Sequence, residues 1–424
     1  MIEVQLPTLH PDQVQAYKLQ GRFKAIRCGR RWGKTALAQV VACDAAIKRQ
    51  SVGIFAPDYK ILAETFNEMV YILEPVKSAS SKVEGIIRTI TGGRIDFWTL
   101  ENERAGRSRK YHKVIIDEAA FTKPSMMGVW EKSIKPTLLD YGGTAIALSN
   151  TNGNDSENFF WRICNQPQYG FVEFHAPTHN NPFMPADELE RLKTDNHPLV
   201  YRQEYLAEFV DWSSAAFFTF DKWLEAGQPI EAPDKCDAVY AVIDSATKTG
   251  REHDGTAVIY FLRNKYTLPK LVILDWEILQ IEGALLEVWL PQVFQNLEAL
   301  ALKHGAREGS LGAWIEDKSS GSVLLQKAEG RGWPAQAIDS RLTALGKDER
   351  AIGISGNHYR GEVKLSREAH DKVSTYKETT RNHLRGQVIG FRIGDKDANK
   401  REDDLLDCYC YGVELALGAQ EWAK

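Results

Sequence analysis

The sequence has no run of about 18 apolar residues, the length that a bilayer-spanning helix needs, so nothing in it reads as a membrane span. It has no Cys-x-x-Cys pair and no histidine-rich tract. Its six cysteines are scattered, which excludes a zinc site and a disulfide framework as the organising device and fits reduced intracellular thiols. Cys408 and Cys410 fall in an apolar helical pattern and read as core. No repeat and no low-complexity segment is present. The opening residues, Met1-Ile2-Glu3-Val4-Gln5, are not those of a signal peptide. Charge of either sign is not in excess: 53 Lys and Arg stand against 57 Asp and Glu, a net charge of −4. A global nucleic-acid signature is therefore missing, and any DNA contact must come from local basic patches. What is there is a 424-residue chain, 43 % hydrophobic and 26 % charged, with material for two or three soluble domains.

The strongest signal is Cys28-Gly29-Arg30-Arg31-Trp32-Gly33-Lys34-Thr35. A strand, Phe23 to Arg27, precedes it and a helix, Ala36 to Ala42, follows. Strand, Gly-rich loop, Lys-Thr and helix form the context of a phosphate-binding P-loop. The loop N–H groups and the helix N-terminus can cradle phosphates, Lys34 can reach the β/γ-phosphates and Thr35 can bind Mg²⁺. Cys28 stands where the first glycine of the motif belongs. Upstream, His10-Pro11-Asp12-Gln13 opens a helix ending near Leu19; Gln13 can clamp adenine through its amide or be a solvated helix-start residue.

Two further strands end in chemistry. Val114-Ile115-Ile116-Asp117-Glu118 is an apolar strand ending in two acids, the first suited to a Mg²⁺ water shell and the second to polarising an attacking water. Thr144 to Leu148 leads into Ser149, Asn150 and Thr151, which can sense the γ-phosphate at the same sheet edge or form only a turn. Between them Glu103 to Lys110 carries four cations in eight residues, a solvated face, a DNA contact or the source of an arginine finger. Arg30 and Arg31 are alternatives for that role. Gly85 to Leu100 reads as a hairpin around Thr91-Gly92-Gly93, and Tyr201 to Val210 as a helix.

A Pro-containing connection near 211–235 separates residues 1–210 from a second α/β domain over 236–424. There, Ala238 to Asp244 is a strand ending in an acid, followed by a polar turn, a second strand from Asp254 to Phe261 and a third from Lys270 to Glu277. Ala313 to Asp317 is a short strand ending in acids. Glu402-Asp403-Asp404-Leu405-Leu406-Asp407 opens a helix through Leu417, with Asp404 and Asp407 on one face. Carboxylates on strand ends and a helix suit two-metal phosphodiester hydrolysis with Mg²⁺ or Mn²⁺. Asp244, Glu316 and Asp404 are the first-choice ligands, with Asp407 and Asp254 in support. The stretch Ser340 to Lys364, holding Arg341, Lys347, Arg350, His358, Arg360 and Lys364 among glycines, reads as a loop that is solvated or touches DNA.

Over nearly its whole length the chain resembles the large terminase subunit of tailed double-stranded DNA bacteriophages. The resemblance rests on His10 to Gln13, Gly29 to Thr35, Ile116 to Ala120 and Ser149 to Gly153 in the first half. In the second half it rests on Asp244 with Asp254, Ile315-Glu316-Asp317 with Gly321, and Asp403 to Asp407. It implies an additional-strand P-loop ATPase with a mostly parallel sheet, joined to a ribonuclease-H-like nuclease. It further implies Gln13 on adenine, Gly29, Arg30, Arg31, Gly33, Lys34 and Thr35 around ATP, Asp117 supporting Mg²⁺, and Glu118 as catalytic base. Ser149 to Thr151 would couple hydrolysis to movement, and Asp244, Glu316 and Asp404 would ligate the nuclease metals. The acid position after Ile315 can be Glu316 or Asp317, and the helix position Asp403 or Asp404. The implied partners are double-stranded DNA, a small terminase subunit, the portal of a procapsid and further copies of the chain, in the host-cell cytoplasm. The alternative is a helicase-like or repair ATPase whose second domain binds DNA without cutting it.

Overall fold

Eight strands in the first half of the chain pair into one sheet. The structure, a computed structural model, describes residues 2–212, 217–245, 255–281, 285–317, 320–394 and 402–418. Two units result: Met1–Lys193 with Pro198–Asp211, and Thr194–His197 with Trp212–Lys424.

The strands of the first unit are β1 (Phe23–Cys28), β2 (Ser51–Ala56), β3 (Lys77–Ser81), β4 (Ile86–Thr89), β5 (Arg94–Thr99), β6 (Lys113–Asp117), β7 (Thr144–Ser149) and β8 (Phe171–Ala176). Their order is β3-β4-β5-β2-β6-β7-β1-β8. From β5 to β8 every pairing is parallel; only the β3–β4–β5 edge, which includes the hairpin read around Thr91-Gly92-Gly93, is antiparallel. A parallel sheet is covered on both faces, which is why its strands read as apolar runs without alternation. Ile26, Ile54, Ile115 and Leu148 enter one core, and their neighbours Ala25, Phe55, Ile116 and Ala147 enter the other. Helices α1 (Pro11–Lys18), α2 (Lys34–Ile47) and α3 (Tyr59–Ile72) flank the sheet strands in sequence. Strand β7 lies between β1 and β6, the additional-strand arrangement. Because β1, β7 and β6 run the same way, their carboxyl ends bring Cys28, Ser149 and Asp117 to one edge. The helix expected over Tyr201 to Val210 instead covers Pro198–Glu204, and Ala207 turns the chain with φ 52°.

The second unit contains β9 (Ala238–Asp244), β10 (Thr256–Arg263), β11 (Leu271–Leu279), β12 (Ser310–Ile315), β13 (Ala335–Ala337) and β14 (Val363–Leu365), ordered β13-β12-β9-β10-β11-β14. The first three form an antiparallel meander; β12 then pairs in parallel with β9, and β13 with β12. That is the ribonuclease-H-like order, with β14 added beside β11. The helix Asp404–Leu417 packs on this sheet at Gly412. A Cβ there would stand 2.3 Å from the Phe261 ring, and Tyr240 donates its hydroxyl to the Gly412 carbonyl at 2.6 Å. The stretch near 211–235 contributes Phe217, Phe218 and Trp223 to the buried interior.

One expectation is overturned. Ser340 to Lys364 is not a loop: it holds the helices Ser340–Thr343 and Lys347–Tyr359 and most of β14. Its glycines suggested a loop, but two of them mark helix ends. Gly346 is the N-cap of Lys347–Tyr359, and Gly361, at φ 67°, follows the C-cap Arg360. Arg350 and His358, read as loop cations, are buried.

Candidate functional site

The P-loop is braced before any ligand arrives. Gly33 takes φ 100° to launch α2 at Lys34, a conformation that side chains avoid. A Cβ on it would also lie 2.4 Å from Gln13 Nε2. Gln13 donates that Nε2 to the Gly33 carbonyl at 2.7 Å and accepts the His10 N–H on Oε1 at 2.9 Å. Each end of its amide thus makes one brace, to the loop and to the helix start, and retains one further hydrogen or lone pair. His10 Nε2 meets the Trp32 carbonyl at 2.9 Å, and the Trp32 indole donates to Asp12 at 2.7 Å. Cys28, in the position of the first motif glycine, is fully buried. Its thiol donates to the Ser149 carbonyl at 3.7 Å, and burial pushes its pKa up to about 12. It therefore acts as a neutral packing group between β1 and β7.

The loop opens on a cleft of about 750 Å³, lined among others by Arg31, Lys34, Thr35, Glu118 and Asn150. Lys34 Nζ forms an ion pair with Glu118 at 2.8 Å and reaches Asn150 Oδ1 at 3.5 Å. Burial opposes its charge, but the acids Glu118 and Asp117 hold its pKa above the usual lysine value. Asp117 is buried, which raises its pKa to about 6, aided by Glu118 and opposed by Lys34. Its Oδ1 accepts the Glu118 N–H at 3.0 Å. Glu118 sits at φ 48°, left-handed backbone that a residue other than glycine adopts at a cost of about 1–3 kcal/mol. The strain turns its carboxylate back over the P-loop lysine.

Ser149 and Asn150 connect this pair to the surroundings. Ser149 Oγ accepts the Ala120 N–H at 3.2 Å and donates to Glu118 Oε2 at 3.4 Å. Asn150 Nδ2 donates to Glu204 at 2.9 Å, and the same Glu204 oxygen pairs with Arg30 Nε at 2.5 Å. Thr151 faces away from the cleft, donating to the Glu208 carbonyl at 2.7 Å. Sequence reading did not single out Glu204, because its partners lie far off along the chain. Asp58, Ile61 and Phe121, also on the cleft wall, were missed for want of a motif. In the basic segment Arg107 donates to Ser133 at 3.0 Å, and Arg109 lies 3.8 Å from the buried Asp96 and over the Trp98 ring.

In the second unit, Asp244 ends β9 and Glu316 follows the end of the neighbouring parallel strand β12. Asp404 and Asp407 occupy the first turn of the helix Asp404–Leu417, and both are buried. Asp244 has its pKa raised well above the carboxylate range, first by burial and then by Asp407, Glu316, Asp404 and Asp403. The four first-named acids thus come together. Asp317 is exposed, whereas Glu316 is half-buried and accepts the Tyr411 hydroxyl at 3.1 Å. Asp403 caps the helix and pairs with Lys347, while Asp404 accepts the Gly255 N–H at 3.0 Å. Asp407 is held by Arg350 Nη2 at 2.6 Å. Burial lifts Asp407 to about 6 against the opposing charges of Arg350 and Lys347. Asp254 lies outside the described residues.

The donor chemistry of this set fits a divalent cation: carboxylate oxygens are hard ligands of the kind that Mg²⁺ and Mn²⁺ take. Buried like charges also gain from a nearby cation. Among the described residues no group of three or more histidine, cysteine, aspartate or glutamate side chains is already placed to hold a metal ion. No helix among them is long and apolar enough to cross a membrane.

No protein-family model matches the chain. No curated protein matches it either. Solved structures do. The large terminase of a thermophilic bacteriophage, in complex with ADP, superposes with a TM-score of 0.65 at 11 % identity, over 96 % of this chain and 100 % of that one. The same terminase in another crystal form gives 0.64 at 10 % identity, over 97 % and 100 %. Its complex with ATP-γ-S gives 0.60 at 10 %, over 95 % and 98 %. From end to end, the fold of this chain is the fold of that large terminase.

Proposed function

We propose that the chain is the motor subunit of a viral DNA-packaging machine, an ATP-driven translocase of double-stranded DNA that also carries a metal-dependent endonuclease. The observation that carries the reading is the meeting of Lys34, Glu118 and Asn150 at one cleft, in a chain whose whole length has the terminase fold. That terminase binds ADP and ATP-γ-S, and we extend ATP to this chain. In this reading Lys34 meets the β/γ-phosphates, Thr35 and Asp117 hold Mg²⁺, and Glu118 accepts the proton of the attacking water. Lys34 would release Glu118 on meeting the phosphate, so the base is freed only when substrate is present. Asn150, which touches both Lys34 and Glu204, carries the change toward Arg30.

In the second unit Asp244, Glu316 and Asp404 hold Mg²⁺ or Mn²⁺ for cutting concatemeric DNA. A bound pair of such ions supplies an activated water and neutralises the leaving oxygen. The partners in this reading are a small terminase subunit that finds the DNA, the portal of an empty procapsid, and further copies of the chain working on it in the host-cell cytoplasm. Two substitutions test it. Lys34→Ala is expected to abolish ATP turnover and leave Mn²⁺-dependent plasmid cutting intact, and Asp244→Ala to do the reverse. Retention of both activities by both variants would overturn the two-site assignment.

A further inference from the structure

Asp404, Asp407 and Tyr411 are spaced three and four residues apart, so they form one stripe of the helix Asp404–Leu417. Their surroundings differ. Asp404 accepts a backbone N–H from Gly255. Asp407 is gripped by Arg350, a guanidinium that is itself only 7 % exposed. Arg350 anchors a second nitrogen, Nη1, on the Leu345 carbonyl at 3.0 Å and lies 4.9 Å over the Tyr411 ring. The Tyr411 hydroxyl then reaches Glu316 at 3.1 Å. A continuous chain of contacts therefore runs from Asp407 through Arg350 and Tyr411 to Glu316.

We propose that Asp407 is the counter-ion of Arg350 rather than a metal ligand, and that Arg350 and Tyr411 are positioning residues which hold Glu316 toward the metal site. The proposal rests on the nuclease reading above. A carboxylate oxygen 2.6 Å from a buried guanidinium is already neutralised. A divalent ion bound to that carboxylate would stand beside a fixed positive charge, which works against ligation. Asp244, Glu316 and Asp404 then form the ligand set, and Asp407 lends its charge to the brace. Tyr411, held from above by Arg350, fixes one oxygen of Glu316. Outer partners of this kind set ligand orientation and hence metal affinity.

The test is calorimetric titration of MnCl₂ into the full-length protein, with plasmid cleavage measured alongside. Tyr411→Phe deletes a single oxygen and is expected to weaken Mn²⁺ binding about tenfold. It should lower kcat for cleavage comparably and leave KM for DNA unchanged. Asp407→Asn, whose amide oxygen can still accept from Arg350 and so keeps the brace, is expected to bind as many Mn²⁺ ions as the parent. Loss of a bound ion in this variant makes Asp407 a ligand and overturns the proposal. So does parental Mn²⁺ affinity in Tyr411→Phe, which decides the matter alone should Asp407→Asn not fold. Asp244→Asn separates the two readings: if it binds Mn²⁺ and cuts as the parent does, the nuclease assignment itself falls, and the brace with it.

Discussion

The two acid sites differ in how their negative charge is balanced. In the first unit, Asp117 and Glu118 are answered within the same cleft by Lys34, 2.8 Å from Glu118. Asp117 is pushed up only to about 6. In the second unit the cations stand to one side: Lys347 on Asp403 and Arg350 on Asp407. Asp244 is left with burial and four acids acting on it in the same direction. The first site carries a counter-ion of its own and must break an ion pair to meet a phosphate. The second has no cation on Asp244 among these partners. On the function proposed above, this difference makes the motor wait for nucleotide and the nuclease wait for metal.

The comparison can be broken in several ways, the largest first. Lys34→Ala leaves Glu118 without its counter-charge and removes the phosphate contact, so ATP turnover should fall by about 10²–10³-fold or more. Nuclease activity should not move, and a steady-state phosphate-release assay beside a plasmid-nicking assay reads both. Asp244→Asn should cost about 10²-fold in cutting, yet not lower the melting temperature, since it puts a permanently neutral group where burial and like charges disfavour a carboxylate. A variant that loses both activity and stability would show that Asp244 is held by an attraction this account lacks.

A pH titration probes the second unit in another place. His358 is buried with Nδ1 on the Tyr409 hydroxyl and Nε2 on the Thr219 backbone, and burial lowers its pKa to about 4. The unfolded chain then binds this proton more readily than the folded one between about 6.5 and 4. Stability is therefore complete above pH 6.5 and lost as the pH falls through that window, by up to about 3 kcal/mol. Urea melts at pH 7 and pH 4.5 should diverge less in His358→Gln than in the parent. The smallest effect is expected for Gly33→Ala, where the left-handed backbone and the Gln13 amide 2.4 Å away oppose a methyl group. It should cost about 1–2 kcal/mol of stability and weaken nucleotide binding measured by fluorescence titration.

Much of the fold was legible because its strands are short apolar runs that end in punctuation. Residues Phe23–Cys28, Lys113–Asp117, Thr144–Ser149 and Ala238–Asp244 all lie where pattern and terminal acid or polar residue put them. The site residues that pattern could name are those that follow such strands. The ones it missed are tied across long stretches of chain: Asn150 to Glu204 over 54 residues, Arg350 to Asp407 over 57, and Tyr411 to Glu316 over 95. No local periodicity carries such a pairing. The reading of Ser340 to Lys364 as a loop failed for a related reason. Glycines at a helix N-cap and after a C-cap resemble loop glycines until the hydrogen bonds are seen, and a cation such as Arg350 looks solvated until its carboxylate is found.

Gly412 has a wider consequence. The absent side chain lets the helix Asp404–Leu417 rest directly on Phe261 and Tyr240. That contact works as a gauge block: it seats the helix that carries Asp404 and Asp407 on the sheet that carries Asp244. Any larger residue there is a shim, displacing the helix and with it Asp404 and Asp407, while every carboxylate remains in the sequence. On the function proposed above, Gly412→Ala, five residues beyond Asp407, separates the two activities with one methyl group placed where nothing reacts: it disturbs the second acid site and leaves the cleft around Lys34 unchanged.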